Sequence, residues 1–393
     1  MKRNEFATIL AYLGMIAIAL LVGFLVIRPI LLDWSSGIKI LVVILSLVVG
    51  IILNASFLEL GHLLGAKAGH YTVYSFCILG LTFKKDKEGK TKFSLGGFDG
   101  LTGETKMKPN DIEKATASGL IAFPLFFYLI EVIIGVILMA VSTRLVNGVG
   151  GAQADANAVW LRIASVILLS VGGMIYLYNY FPAHLDSETD GYRMLLLSKK
   201  INKQAYNQLL LNRYQSEMGL PLSAFPIYDD VTDYTAQVNM DRVYTELDHN
   251  NFGQAILIVQ KTLDTEERIS AGTRNEAMAM KLSLVLLTTK REIGLQYYDN
   301  IENDDRSYLA EFFNAPSLRS YLLVSGVLEG SETETAYALD KAERIIKRVP
   351  SSRRAIEEKL LELTIKRITT LHPSWKLPNW KGEEEAPKKE EKK

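Results

Sequence analysis

Cysteine is almost missing from this sequence. Cys77 stands alone among 393 residues, which excludes an intramolecular disulfide framework and any cysteine-rich zinc module. Net charge is missing too: Lys plus Arg and Asp plus Glu both number 44, so no positive excess points to a nucleic-acid partner. No P-loop, dinucleotide fingerprint or nucleophile elbow is present. Charge of either sign is sparse in the first half, where long apolar runs interrupt the chain, whereas the second half has the charge density of a soluble domain. The pattern is that of a membrane protein with a soluble appendage.

A helix that crosses a bilayer needs about 20 mostly apolar residues. Residues 7–27, 40–58 and 163–180 meet this without a charge, and residues 115–143 meet it with one, Glu131. Four spans are therefore expected. Lys2 and Arg3 precede the first run, but it is long for a signal-peptide core and no small-x-small cleavage site follows, so it is read as a retained helix. Between the second and third runs, residues 66–112 concentrate eight lysines, while the other two connections carry few basic residues. By the positive-inside rule, that loop and both termini are cytoplasmic, in a multi-pass protein of the cell membrane.

The lysine-rich loop has a pattern of its own. Residues 71–83 are aromatic and β-branched, residues 84–90 are turn-like, and residues 91–98 are again strand-like, which predicts a β-hairpin. Phe76, Ile78, Leu81 and Phe83 call for cover, which places the hairpin against the membrane face.

The second run ends Leu58-Glu59-Leu60-Gly61-His62. A carboxylate and an imidazole one turn apart at the end of an apolar helix are costly in lipid, and such groups are functional by default. In H-E-x-x-H helices, two histidines hold zinc and the glutamate takes a proton from metal-bound water. Glu59 and His62 fit that arrangement, and Leu58 stands where the first histidine belongs.

The segment Glu59-Leu-Gly-His-Leu-Leu-Gly-Ala-Lys67 resembles the signature helix of the site-2 protease family of intramembrane zinc metalloproteases. Ser118-Gly-Leu-Ile-Ala-Phe123 occupies the place of the family's G-P-x-x-N segment, with Leu120 and Phe123 for its Pro and Asn. Asn179-Tyr-Phe-Pro182 followed by Asp190-Gly191 resembles the family's N-x-x-P…D-G motif. The resemblance covers residues 40–195. It implies a bundle of transmembrane helices with zinc near the cytoplasmic face, Glu59 as general base, and His62 and Asp190 as ligands. Asn179, Pro182 and Gly191 would support the site. Leu95-Gly-Gly-Phe98 lies where such proteins carry a membrane-associated β-segment.

A catalytic zinc ordinarily has three protein ligands and a water. Leucine offers no lone pair, so the resemblance supplies two, and the site either has lost zinc or recruits a substitute. His184, six residues before Asp190, is the candidate substitute; His70 lies beyond the helix, and the amide of Asn54 is a poor zinc ligand. Glu131 either reaches the buried site or pairs with Asn54 or Ser165 as packing glue. Gly172-Gly173 permit close helix packing.

Beyond residue 200 the pattern is amphipathic and helical, at 251–263, 277–287 and 336–349. The segment 337–350 resembles the second helix of a tetratricopeptide repeat, without a clean 34-residue period. The expected organisation is a transmembrane domain over 1–199, a cytoplasmic all-α domain of helical hairpins over 200–380, and a disordered charged tail over 381–393. Three functions follow. The first is a site-2-protease-like protein that handles transmembrane segments of membrane-protein clients, its catalysis impaired by Leu58. The second is an active intramembrane metallopeptidase with His184 as ligand. The third is a non-catalytic scaffold. In each, the helical domain is a candidate surface for a cytoplasmic protein partner.

Overall fold

The computed structural model describes residues 3–24, 37–86, 88–95, 102–147, 158–182, 188–223, 225–265 and 269–381. The chain divides into two compact units, Met1–Asn207 and Gln208–Lys393.

The first unit contains α1 (Arg3–Val22), α2 (Gly37–Ala68), strands β1 (Tyr71–Ile78), β2 (Leu81–Lys85), β3 (Thr91–Leu95) and β4 (Gly103–Pro109), then α3 (Ser118–Asn147), α4 (Ala158–Tyr180) and α5 (Asp190–Leu197). Three helical segments are long and apolar enough to cross a membrane: Ile40–Ala68, Ser118–Leu145 and Trp160–Tyr180. Around α2 the residues Leu41, Ile44, Leu45, Val48 and Ile52 are all exposed, an apolar surface that lipid solvates and water does not. Of the expected first span, the described apolar part is Tyr12–Val22, shorter than a bilayer crossing, and residues 25–27 lie outside the described ones.

Helices α2 and α3 cross on glycine. A Cβ on Gly61 would sit 2.6 Å from the Pro124 backbone, and one on Gly65 would sit 2.2 Å from the Gly119 carbonyl oxygen. A Cβ on Gly69 would sit 2.3 Å from the Thr116 carbonyl oxygen. These three glycines, each four residues apart, form one stripe that lets the two backbones touch, the way small residues replace a hydrophobic driving force inside lipid. Pro124 interrupts the ladder of α3, and three residues before it the Ile121 carbonyl accepts a 2.8 Å hydrogen bond from the Tyr180 hydroxyl.

The expected two-stranded hairpin is a four-stranded antiparallel sheet in the order β3-β2-β1-β4. Residues 71–83, read as one strand, are themselves a hairpin. Leu79 and Gly80 both take positive φ, 48° and 86°, the backbone of a tight turn matched to strand twist. Asp86 closes the second turn by accepting from the backbone N–H groups of Glu88 and Lys90. Strand β4, which the sequence reading did not anticipate, pairs with β1 across a bulge between Val73 and Ser75. Phe76 and Ile78 are half-buried, whereas Leu81 and Phe83 are exposed. Residues 96–98 lie outside the described ones.

The second unit is helical throughout its described residues. It takes over within α6 (Lys200–Met218) and continues through α7 (Asp233–Asp248), α8 (Phe252–Leu263), α9 (Ala271–Thr288), α10 (Arg291–Asp299), α11 (Asn303–Leu309), α12 (Ala315–Leu323), α13 (Glu332–Arg348) and α14 (Ser351–Leu371). A short π-helical stretch, Val324–Glu329, joins α12 to the turn before α13. Apolar faces of α7, α8, α9 and α14 bury one cluster around Val243, Leu247 and Val259, and α9, α12, α13 and α14 bury another around Leu282, Leu318 and Leu339. Between them Arg319 and Glu357, both fully buried, form an ion pair, and the Tyr244 hydroxyl donates to Glu357 Oε1 at 2.7 Å. The tail beyond Lys381 lies outside the described residues.

Candidate functional site

The glycine crossing sets the place of Glu59 and His62 on α2. Glu59 is buried beneath the sheet: the Thr102 hydroxyl donates to Oε1 at 2.8 Å and the Thr105 hydroxyl to Oε2 at 3.1 Å. Gly103, between them, lies so close that a Cβ would be 3.2 Å from the Glu59 Cγ and 2.0 Å from the Cys77 carbonyl oxygen. His62 Nδ1 stands 3.5 Å from Glu59 Oε2, a long contact, and its Nε2 stands 2.8 Å from Asp190 Oδ2.

Asp190 reaches the site because the chain turns sharply after α4. Thr189 caps α5, accepting from the Tyr192 N–H at 3.1 Å and donating to the Phe181 carbonyl at 2.7 Å. Gly191 lets α5 press on the end of α4, where a Cβ would fall 2.1 Å from the Tyr180 carbonyl oxygen. The Asp190 carboxylate then takes three donors: His62 on Oδ2, Asn179 Nδ2 on Oδ2 at 3.0 Å, and Arg193 on Oδ1 at 2.8 Å. Burial alone would raise its carboxyl; attraction to His62 and Arg193 outweighs this and holds it below the usual carboxylate range.

The structure thus brings Glu59, His62, Asn179 and Asp190 together from α2, α4 and α5. Gly191 acts through its backbone, and Pro182 is exposed past the end of α4. His184 and the nearby Asp186 lie outside the described residues. His70 is exposed beyond α2 in a left-handed backbone conformation, φ 64°. Asn54 is fully buried one turn before Leu58, and Ser165 spends its hydroxyl on the Leu161 carbonyl of its own helix. Thr102, Thr105 and Arg193 are contributors that sequence reasoning missed. Only the i, i+3 spacing of Asp190 and Arg193 offered a signal.

The donor set of the described residues does not fit zinc. Leu58 is 2% exposed and packs against Ile175 and Tyr176, an apolar plug where the first histidine would stand. No group of three His, Cys, Asp or Glu side chains among the described residues is placed to hold a metal. Both Asp190 oxygens are engaged, Oδ2 by His62 and Asn179 and Oδ1 by the Arg193 guanidinium. Both Glu59 oxygens accept from threonine hydroxyls. What this arrangement does chemically is lock: the Asp190 acid and Arg193 guanidinium of α5, the His62 imidazole of α2 and the Asn179 amide of α4 join the three helices.

Comparisons with protein-family models, with curated proteins and with solved structures find no match to the chain.

Proposed function

We propose that the chain is a membrane-embedded, site-2-protease-like protein that handles transmembrane segments of other membrane proteins without zinc-dependent cleavage. In this reading the chain crosses the membrane four times, α1 supplying the first span, with both termini and the lysine-rich sheet in the cytoplasm. Its helical second unit is a tetratricopeptide-like platform for a cytoplasmic partner.

The observation that carries the reading is the 2.8 Å contact of His62 with Asp190 beside a buried Leu58. The convergence of α2 with the segment after α4 is what the resemblance to site-2 proteases implies. The leucine plug and the Arg193 partner explain why the same frame would hold no metal. A zinc hydrolase needs a Lewis acid to generate its nucleophile near neutral pH. Here Glu59 is held by two threonine hydroxyls and His62 by an aspartate, so both side chains already serve as contacts between elements. What remains is a helix bundle with a rigid polar interior and an apolar exterior, suited to holding a client helix alongside α2.

Photo-crosslinking tests this. A photoreactive side chain at Leu60 or Leu64, the exposed neighbours of Glu59 and His62 on α2, is expected to capture transmembrane segments of full length in native membranes. The yield and client size should match between the native chain and Glu59→Gln. Client fragments with the native chain, replaced by intact client in Glu59→Gln, would establish proteolysis instead.

A further inference from the structure

Strands β2 and β3 form a hairpin with two unlike faces. In its register Leu81 stands opposite Leu95, Phe83 opposite Phe93, and Lys84 opposite Lys92. Residues directly opposite on antiparallel strands share a face, and successive residues alternate. Leu81, Phe83, Phe93 and Leu95 therefore line one face, the two phenyl rings 5.3 Å apart between centres, while Lys84 and Lys92 line the other. All four apolar side chains are exposed, Leu95 by 75%. A bare apolar patch of this kind marks a contact surface.

The hairpin also has a direction. The sheet runs back along α2 from its end: the Asn110 N–H donates to the His70 carbonyl just past the helix, and the Thr102 hydroxyl donates to Glu59 within it. Glu59 lies about 13 Å of helical rise before the end of α2, inside the apolar segment Ile40–Ala68. Ile78 pairs with both Gly103 and Leu81, and Leu81 pairs with Leu95, so the two leucines stand at the Glu59 end. Phe83 and Phe93 come next, then Lys84 and Lys92, and last the turn in which Asp86 accepts from the Lys90 N–H. Leucine, phenylalanine and lysine thus follow one another outward, in the order of acyl chain, interface and headgroup.

Charge selects the headgroup. Residues 84–92 hold five lysines against Asp86 and Glu88. Lys84 and Lys92 stand directly opposite each other, and like charges so placed loosen a strand pair. Asp86 lies 3.3 Å from Lys92 and offsets part of the excess; an external anion offsets the rest. The anion that also brings hydrocarbon to four exposed apolar side chains is an acidic phospholipid. We propose that the β2–β3 hairpin is a binding surface for acidic phospholipid, with the headgroup phosphate on the lysines and the acyl chain along Phe83 and Phe93 toward Leu81 and Leu95. This rests on the reading that α2 crosses the membrane, and is independent of zinc and of any client.

The test places a fluorophore on Leu95→Cys in the full chain, in phosphatidylcholine nanodiscs that carry either brominated phosphatidylglycerol or brominated phosphatidylcholine. The same fluorophore on Val48→Cys, exposed on α2, reports the spanning reading, and the native chain, whose Cys77 is buried, controls the labelling. Both lipids are expected to quench at Leu95→Cys, and phosphatidylglycerol should do so at about a threefold lower mole fraction. That preference should vanish in the combined Lys84→Gln, Lys85→Gln, Lys90→Gln and Lys92→Gln variant. Should that variant fail to fold, about 1 M salt, which cuts the screening length to about 3 Å, should abolish the preference in the native hairpin. Equal quenching by the two lipids overturns the proposal, as does a preference that survives both the lysine changes and the salt. Quenching at Val48→Cys without quenching at Leu95→Cys ends this proposal alone, and places water or protein against the hairpin. Quenching at neither position ends the spanning reading with it.

Discussion

His62 Nε2 lies 2.8 Å from Asp190 Oδ2, although 128 residues separate them in the chain. That contact ties the end of one apolar helix to the turn that follows another, and Asn179 on Oδ2 and Arg193 on Oδ1 complete it. The pair is therefore the joint of the first unit as well as its candidate site.

Breaking the joint from the cationic side isolates a buried acid. Arg193→Met is expected to cost about 1–3 kcal/mol, less than a fully buried pair would, because Arg193 is partly exposed. Asn179→Ala, which removes one neutral donor, is expected to cost about 1 kcal/mol. Reversible unfolding in mixed micelles measures both. A double-mutant cycle of His62→Ala with Asp190→Ala should return a coupling energy of about 0.5–3 kcal/mol, and additive losses would mean that the two groups do not interact.

The glycine stripe makes a sharper prediction. Gly65→Ala forces a methyl to within 2.2 Å of a backbone carbonyl oxygen, so α2 and α3 must part and the protein should lose about 1–3 kcal/mol or more, by analogy with overpacked cores. Gly253→Ala in α8 meets nothing within 4 Å and should be neutral or stabilising by up to about 1 kcal/mol. Melting temperatures of the two variants, compared side by side, test whether backbone contact at the crossing is what matters.

In the second unit, Glu357→Gln leaves Arg319 buried without its counter-charge and should cost about 3–5 kcal/mol. Replacing both partners, Arg319→Met with Glu357→Leu, should cost less than either single change, because no unpaired charge remains. Chemical denaturation followed by circular dichroism decides, and a double variant weaker than both singles would contradict the argument.

The β2–β3 turn carries a pH dependence of known sign. Slight burial would raise the Asp86 carboxyl, but hydrogen bonds from the Lys90 and Glu88 backbone and the charge of Lys92 hold it below its ordinary 3.8. A lowered folded-state value means that its contribution is present above that pH and is lost as the pH falls through the lower value. Amide protection in the hairpin, taken relative to the intrinsic exchange rate at each pH, should fall on acidification below that range in the native chain, and already be low at neutral pH in Asp86→Ala.

Much of the first unit was legible because lipid imposes a simple rule: a run of sufficient length with at most one charge is a helix, and the runs at 40, 115 and 163 are helices. Asp190 was legible through the Gly191 that follows it, and Gly191 is where the backbone presses on Tyr180. The sheet was not. Leu79-Gly80 lacks the usual Asn-Gly turn signature, so β1 and β2 merged into one apparent strand, and β4, preceded by Thr102, was hidden because Met107 is the one large apolar side chain among its charged residues. The stripe Gly61, Gly65 and Gly69 was readable as a four-residue repeat, but it was absorbed into the motif around His62. The role of Arg193 required the fold, since the sequence places it near Asp190 but not against the acid.

The central claim is that this site stands without zinc, held by Asp190, His62 and Arg193, with Leu58 as the plug. Metal analysis of the purified full chain, loaded with zinc and then desalted, tests it most directly when run beside Leu58→His. The account predicts far less than one zinc per chain in the native protein and a clear gain in Leu58→His. Near-stoichiometric zinc in the native chain, lost in His184→Ala, would contradict it.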